Sequence, residues 1–390
     1  MKKTVLSALF SLLFAVGYPQ VAKEDIFRSP VYLQNPSTDE MTVMWLTNVP
    51  ALSWVEFGTD TLNMQIAKTW VEGIAMANNT VNRIRLTGLQ PGTRYYYRVH
   101  SREITLYEAY RKEFGKTATT EIRSFTTFCD NQTDFTALIF NDLHDIFPLF
   151  DVLRKQVTVP FDIVFFNGDI ISDVQTKDAA VRTISHFTHG IGGDSVPSIF
   201  VRGNHEARGA FSPFLWSLLG KVGVNHSFGA FSIGDTRFVV LDVGEDKPDD
   251  FWVYFGMNNF TQFRKDQAEF LRKEVASNEF QSANRRILIH HIPLYDLREG
   301  RAEHYQQVLA FVRSLWGDII ASAPFDVVLN GHTHRFEYIP TGKAGNNFPV
   351  VIGGGNNERT ATVKILQKKG EEMTLRVLNA EGETLLFLEL

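Results

Sequence analysis

Cysteine is nearly missing from this chain. Cys129 stands alone among 390 residues, which excludes an intrachain disulfide framework and any cysteine-based zinc or iron–sulfur cluster. An excess of basic charge is also missing. The 39 Lys plus Arg are outnumbered by 44 Asp plus Glu, for a formal net charge of −5. Such a balance supplies no overall positive field for long nucleic acid or an acidic membrane surface. Past the amino terminus no apolar run approaches the roughly 20 residues of a membrane span, and no repeat or low-complexity stretch is visible. What the chain has instead is 32 Phe, 11 Tyr and 6 Trp, enough for a sizeable core, and 11 His. A metal bound by this sequence must be held by histidine and carboxylate.

Residues 1–20, MKKTVLSALFSLLFAVGYPQ, read as an export signal. Lys2 and Lys3 supply the positive start, Val5 to Val16 the short apolar run, and Ala15 and Gly17 the small residues of a cleavage region. The run is about a dozen residues, too short to span a bilayer. The expectation is a periplasmic or extracellular protein without a membrane span, stabilised by packing rather than cross-links.

From residue 27 to 128 the chain alternates apolar and polar residues in short runs broken at Gly and Pro. Val43 and Trp45, then Trp54, Val55 and Phe57, then Tyr95, Tyr97 and Val99 carry the pattern. Alternation of period two in about 100 residues predicts an all-β sandwich. The segment Leu89-Gln90-Pro91-Gly92-Thr93-Arg94-Tyr95 resembles the corner of a fibronectin type III domain, where a tyrosine closes the turn. The stretch from Ser29-Pro30 to Gly58 is similar to the sandwich that precedes the catalytic domain of purple acid phosphatases. Two roles stand for it: contact with a surface or glycan, and plain packing and spacing. The polar link Cys129–Thr133 marks the expected boundary.

After residue 134, five β-rich apolar runs each end in metal-capable residues. FTALIF leads to Asn141-Asp142-Leu143-His144, and FDIVFF to Asn167-Gly168-Asp169. PSIFV leads to Arg202-Gly203-Asn204-His205-Glu206, RILI to His290-His291, and FDVVL to Asn330-Gly331-His332-Thr333-His334. Continuous apolar runs suit strands buried on both faces, and the carboxyl ends of such strands are where open α/β sheets place their sites. Amphipathic segments at 263–275 and 305–315 add helices, and the tail after Thr362 reads as antiparallel strands. Taken singly, Asp142-x-His144 and Gly168-Asp169 would suit a turn or a helix cap. Taken together, carboxylate, amide and imidazole at successive strand ends suit Zn, Mn or Fe.

The order Asp-x-His, Gly-Asp, Gly-Asn-His-Glu, His-x-Pro, Gly-His-x-His resembles the calcineurin-like metallophosphoesterase superfamily across residues 134–390. The resemblance implies a β-sheet sandwich flanked by helices and two metal ions. Asp142, His144 and His334 would hold one ion, Asn204, His291 and His332 the other, and Asp169 would bridge them. Of the pair His290-His291, the spacing to Pro293 and Tyr295 selects His291. His205 would serve as the catalytic group that faces the substrate and assists the leaving oxygen. Arg208 is open between a phosphate contact and a salt bridge, and His304 between the substrate pocket and an exposed helix face. Purple acid phosphatases carry an iron-binding tyrosine three residues beyond the bridging aspartate, where this chain has Ser172, so no purple Fe(III) centre is expected.

The implied activity is hydrolysis of a small phosphoester, monoesters favoured, by metal-activated hydroxide attack on phosphorus. Two alternatives are a phosphodiesterase or nucleotidase of the same superfamily, and a surface- or glycan-binding protein with a relic metal domain.

Overall fold

The computed structural model describes residues 25–223, 226–296 and 298–390. The export signal expected at residues 1–20 lies outside them. No helix among the described residues is long and apolar enough to cross a membrane.

The amino-terminal domain is built on one long strand, Glu40–Gly58. Its first part, Glu40 to Leu46, pairs antiparallel with the strand Ala77–Thr87, and its second part, Ala51 to Gly58, pairs with Arg94–Tyr107. The register shifts between Leu46 and Ala51, where Pro50 has no N–H to give to a ladder. The strand thus contributes to both sides of a core made from Val43, Trp45, Val55, Phe57, Tyr97, Val99 and Phe125. In the first part of Arg94–Tyr107 the buried positions alternate at Tyr95, Tyr97 and Val99, as the sequence predicts, and the pattern breaks at His100 and Ser101, which are buried as well. The tyrosine corner forms as well: the backbone N–H of Gln90 donates to Tyr95 Oη at 3.0 Å.

The carboxy-terminal domain has four layers, helix, sheet, sheet, helix. Its first sheet runs in the order Thr384–Glu389, Glu372–Asn379, Thr362–Lys369, Phe135–Phe140, Ile163–Asn167, Ser198–Val201. The last three strands are mutually parallel, and the tail strands add antiparallel. The second sheet centres on Thr236–Val240, Arg285–Ile289, Val327–Asn330 and Val350–Ile352, again parallel. Ala137, Ile139, Phe165, Phe238, Ile287 and Leu329 pack between the sheets. Helices Phe147–Gln156 and Lys177–Gly190 cover the outside of the first sheet, and Phe260–Val275 and Glu303–Val312 that of the second. Every residue of Phe135–Phe140, Ile163–Asn167 and Val327–Asn330 is therefore buried, which is why these runs show no alternation.

The two domains share a sheet. The strand Tyr32–Gln34 pairs antiparallel with Glu40–Gly58 on one side and parallel with Ser198–Val201 on the other, with Gln34 opposite Ser198. Around this join Tyr32 Oη donates to Leu218 O at 2.6 Å, Tyr97 Oη to Asp194 O at 2.6 Å, and Leu33 N to Gly193 O at 2.7 Å. Tyr32, Met44 and Leu46 belong to the same apolar cluster as Phe200, Leu215 and Leu218.

Candidate metal centre

Five parallel strands point their carboxyl ends at one place, and the loops leaving them are bent in an unusual way. Ten non-glycine residues among those described have positive φ, and five of them are Asp142 (54°), His144 (46°), Asp169 (51°), His332 (72°) and His334 (56°). Left-handed backbone at ordinary residues costs on the order of 1 kcal/mol or more each and is held only where the surroundings fix it. The motif glycines explain how the loops come so close. A Cβ on Gly203 would lie 2.3 Å from Asp169 Oδ1, and one on Gly168, itself at φ 79°, would lie 2.4 Å from the His291 ring.

The loops bring two donor groups together. Asp142, His144, Asp169 and His334 place one ligand-type atom each within 4.8 Å of one another, and so do Asp169, His291 and His332. Asp169 belongs to both groups. Asn204 joins the second, its Oδ1 2.8 Å from His332 Nδ1. His290 does not reach the centre. It is buried beside it, with Nδ1 2.8 Å from Ile292 O and the amide of Asn330 against its ring. His291 sets its Nδ1 on Asn167 O at 2.8 Å, an outer hydrogen bond of the kind that fixes a ligating imidazole and turns the other nitrogen inward.

Two buried atoms at this point have no hydrogen-bond partner among the described residues, Asp142 Oδ1 and His291 Nε2. They lie 3.8 Å apart. Each has an ion-pair neighbour instead, His334 Nε2 at 3.3 Å from Asp142 Oδ1 and Asp169 Oδ2 at 3.1 Å from His291 Nε2. This convergence of carboxylate, amide and imidazole groups on one space fits a cation of the Zn, Mn or Fe type. The titration of the groups agrees. Burial pushes the Asp169 carboxyl up, but the charge of His291 outweighs it and holds the group well below the usual range. Burial pushes His291 down, but Asp169 and Asp142 lift it to about 10. His332 is held at about 4 by burial and by the charge of His291. Negative charge at the centre is thus compensated by protonated imidazole, a task that a metal ion would take over.

Two further charged groups support the loops from behind. Glu206 is buried and accepts four backbone N–H bonds, from Gly203 and Asp169 on one oxygen and from Ile170 and Ile171 on the other, at 2.7–2.9 Å. It ties the loop of Asn204 to the loop of Asp169. Lys364 is fully buried and donates to Asn141 Oδ1 at 2.6 Å and Asn330 O at 2.9 Å, and Asn141 in turn donates to Asp142 Oδ2 at 2.8 Å. Burial brings the Lys364 ammonium down to about 7. Glu206 sits within a motif, although its role shows only in three dimensions. Lys364 lies in an unremarked strand, and no sequence signal points to it.

His205 lies at the edge of the centre, its ring 4.7 Å from that of His144. Its Nδ1 is on Ser172 O and its Nε2 accepts from Arg208 Nη1 at 3.1 Å. Arg208 is itself committed to Glu245 and Asp246, at 2.5 and 2.9 Å. Of its two readings the structure displays the salt bridge. His304 stays outside the cluster and packs against Phe251, the rings tilted by 52° with centroids 4.9 Å apart.

Comparison with known proteins places the fold and these motifs together. The calcineurin-like phosphoesterase profile matches residues 135–336, and the profile of the purple acid phosphatase N-terminal domain matches residues 28–127. The chain belongs to the calcineurin-like phosphoesterase family, and that family implies a dinuclear metal centre. Acid phosphatase type 7 of Mus musculus is 37% identical over 94 residues, which are 22% of this chain and 20% of that protein. The match therefore spans about a fifth of that curated relative. The purple acid phosphatase isolated from yellow lupin (Lupinus luteus) seeds superposes with a TM-score of 0.65 at 16% identity, covering 92% of this chain and 73% of the other. The structure of PhoD gives 0.61 at 12% identity, covering 92% and 88%. At such identities the two likenesses speak for the shared fold.

Proposed function

We propose that the protein is an exported dinuclear-metal phosphoesterase that hydrolyses small phosphate esters, monoesters in preference to diesters. The observation that carries the reading is the convergence of seven donor residues from five strand ends, with Asp169 common to both groups. Asp142, His144 and His334 would hold one ion, Asn204, His291 and His332 the other, with Asp169 between them. Bound there, the ions supply positive charge against the phosphoryl oxygens and make water nucleophilic at neutral pH.

The chain's own groups hold this arrangement and handle the leaving group. Glu206 and the Lys364–Asn141 pair fix the loops in their strained form. His205 can pass a proton to the leaving oxygen only as imidazolium. Monoester preference draws support from the related proteins being named phosphatases. Export rests on the pattern of residues 1–20 alone.

The test is turnover of p-nitrophenyl phosphate and bis-p-nitrophenyl phosphate by Zn- or Mn-loaded protein, with the metal counted per chain. The expected result is about two ions per chain, a kcat/KM at least tenfold higher for the monoester, and loss of both activities on chelation. Turnover of neither ester by protein carrying two ions would overturn the proposal. The export reading predicts a mature protein beginning near residue 20, checked by amino-terminal sequencing of the exported form.

A further inference from the structure

Beside the helix Glu303–Val312 lies a pocket of about 330 Å3 whose charged lining is Asp296, Arg298, Arg301 and Arg313. Three guanidinium groups thus face one carboxylate. The Asp296 carboxylate is covered, with Oδ1 accepting from Arg298 Nε at 2.8 Å and Oδ2 paired with Arg298 and Arg301 at 2.8 and 2.9 Å. Arg313 donates from Nε to Leu294 O at 2.5 Å and has no carboxylate partner among the described residues. The pocket therefore holds a surplus of positive charge.

Tyr305 supplies the second observation. It is 5% exposed, it lines the pocket, and its hydroxyl has no hydrogen-bond partner among the described residues. A phenol hydroxyl is protonated at neutral pH and is therefore a donor. Leaving a buried hydroxyl unpaired is unfavourable, and an acceptor placed in the pocket would relieve it. The ring of Tyr305 links the pocket to the centre. It stacks on His332 with centroids 5.3 Å apart, and the Arg301 guanidinium lies over it at 5.3 Å. Arg298 Nη1 donates to Thr333 O, in the loop that carries His332 and His334, at 3.1 Å.

We propose that this pocket binds a phosphoryl dianion, recognised by Arg301, Arg313 and the Tyr305 hydroxyl. Planar guanidinium groups suit such an anion, and charge-assisted hydrogen bonds to it are the strong kind. Its position beside His332 makes the second phosphoryl group of a bisphosphate one source and free phosphate the other. The inference rests on the phosphoesterase reading only for the place of a substrate's first phosphoryl group.

Calorimetric titration of the metal-loaded full chain with hexane-1,6-diyl bisphosphate, hexyl phosphate and inorganic phosphate tests it. If the source is a bisphosphate, the bisphosphate binds at least tenfold more tightly than hexyl phosphate. Arg301→Gln and Arg313→Gln each remove that preference and leave the hexyl phosphate affinity unchanged. If the source is free phosphate, a second phosphate per chain binds and is lost in both variants. Arg313 has no ion pair to break, so its variant keeps the test decisive if Arg301→Gln is poorly folded. Neither a bisphosphate preference nor a second phosphate in the wild type would overturn the proposal, as would their survival in both variants. Turnover of hexyl phosphate in the same samples tests the phosphoesterase reading separately: its absence beside an intact preference would sink that reading and leave the pocket standing.

Discussion

In the β-rich domain His100 lies against Trp54, the two rings stacked at 4.8 Å, with Nδ1 2.8 Å from Thr119 Oγ1 and Nε2 3.3 Å from Glu56. In the α/β domain His144 and His334 meet nitrogen to nitrogen at 3.0 Å, beside two buried carboxylates and two atoms without a hydrogen bond. Both places hide imidazole from water and both leave a ring nitrogen without a hydrogen bond, His100 Nε2 in the first and His291 Nε2 in the second. What separates them is how many ligand-type groups converge: one imidazole beside one carboxylate in the first, four imidazoles and two carboxylates in the second. Thr119, Glu56 and Trp54 account for His100 without any ligand. The α/β cluster is intelligible only with something further between its donors. The difference separates a histidine that serves packing from one that serves chemistry, and neither burial nor residue type alone would have done so.

The strongest way to sharpen this contrast is Asp169→Asn. Losing the carboxylate common to both donor groups is expected to lower kcat/KM by on the order of 10³ or more, with fewer bound metal ions per chain by elemental analysis. Unchanged activity would break the contrast outright. Glu206→Gln comes next. It sets an amide NH2 against backbone N–H groups that now have a carboxylate oxygen, at a cost of about 2–4 kcal/mol, read by denaturant unfolding together with weaker metal retention. Metal itself should then stabilise the fold. Zn or Mn at 100 times its Kd adds ~2.7 kcal/mol, seen as a higher Tm that chelation reverses and that Asp169→Asn abolishes.

His100 marks the other side of the comparison and the smallest effect. His100→Gln should cost about 1 kcal/mol and leave kcat/KM on p-nitrophenyl phosphate unchanged. Its pH signature follows from burial, which lowers the pKa of His100 below the usual 6.5. The unfolded chain takes up a proton that the folded chain resists, so this contribution is whole above pH 6.5. It is lost as pH falls through the window between 6.5 and the depressed folded value. Unfolding free energy measured from pH 7.5 downward should fall more steeply for the wild type than for His100→Gln.

How much of this was readable in advance depends on how far apart the cooperating residues lie. The donors were legible because each sits two to four residues beyond its own strand end, so that Asp142, Asp169, Asn204 and His332 announce themselves locally. The glycines of those motifs were legible as turns, but their reason is steric: a side chain at 203 would occupy the place of the Asp169 carboxylate. Lys364 was invisible because its partner Asn141 is 223 positions away. Tyr305 looked like one more apolar position on a helix until its hydroxyl was found alone beside three arginines. The run Gly353-Gly354-Gly355, which reads as a flexible loop, proves to be close packed. A Cβ on Gly353 would lie 2.0 Å from Asn141 Oδ1, and one on Gly355 2.5 Å from His334.

The strand Tyr32–Gln34 is made near the start of the chain, yet its parallel neighbour Ser198–Val201 is made more than 160 residues later. The edge it seals is therefore a late closure, with the slow, long-range character of such pairings. Until then, the unpaired backbone of Ser198–Val201 and the apolar surface of Phe200, Leu215 and Leu218 are open to other chains. A phosphoesterase domain cut free at residue 134 would keep every metal donor and remain in that half-closed condition. The amino-terminal domain is in this sense a built-in guard against self-association, inherited by the centre along with its fold.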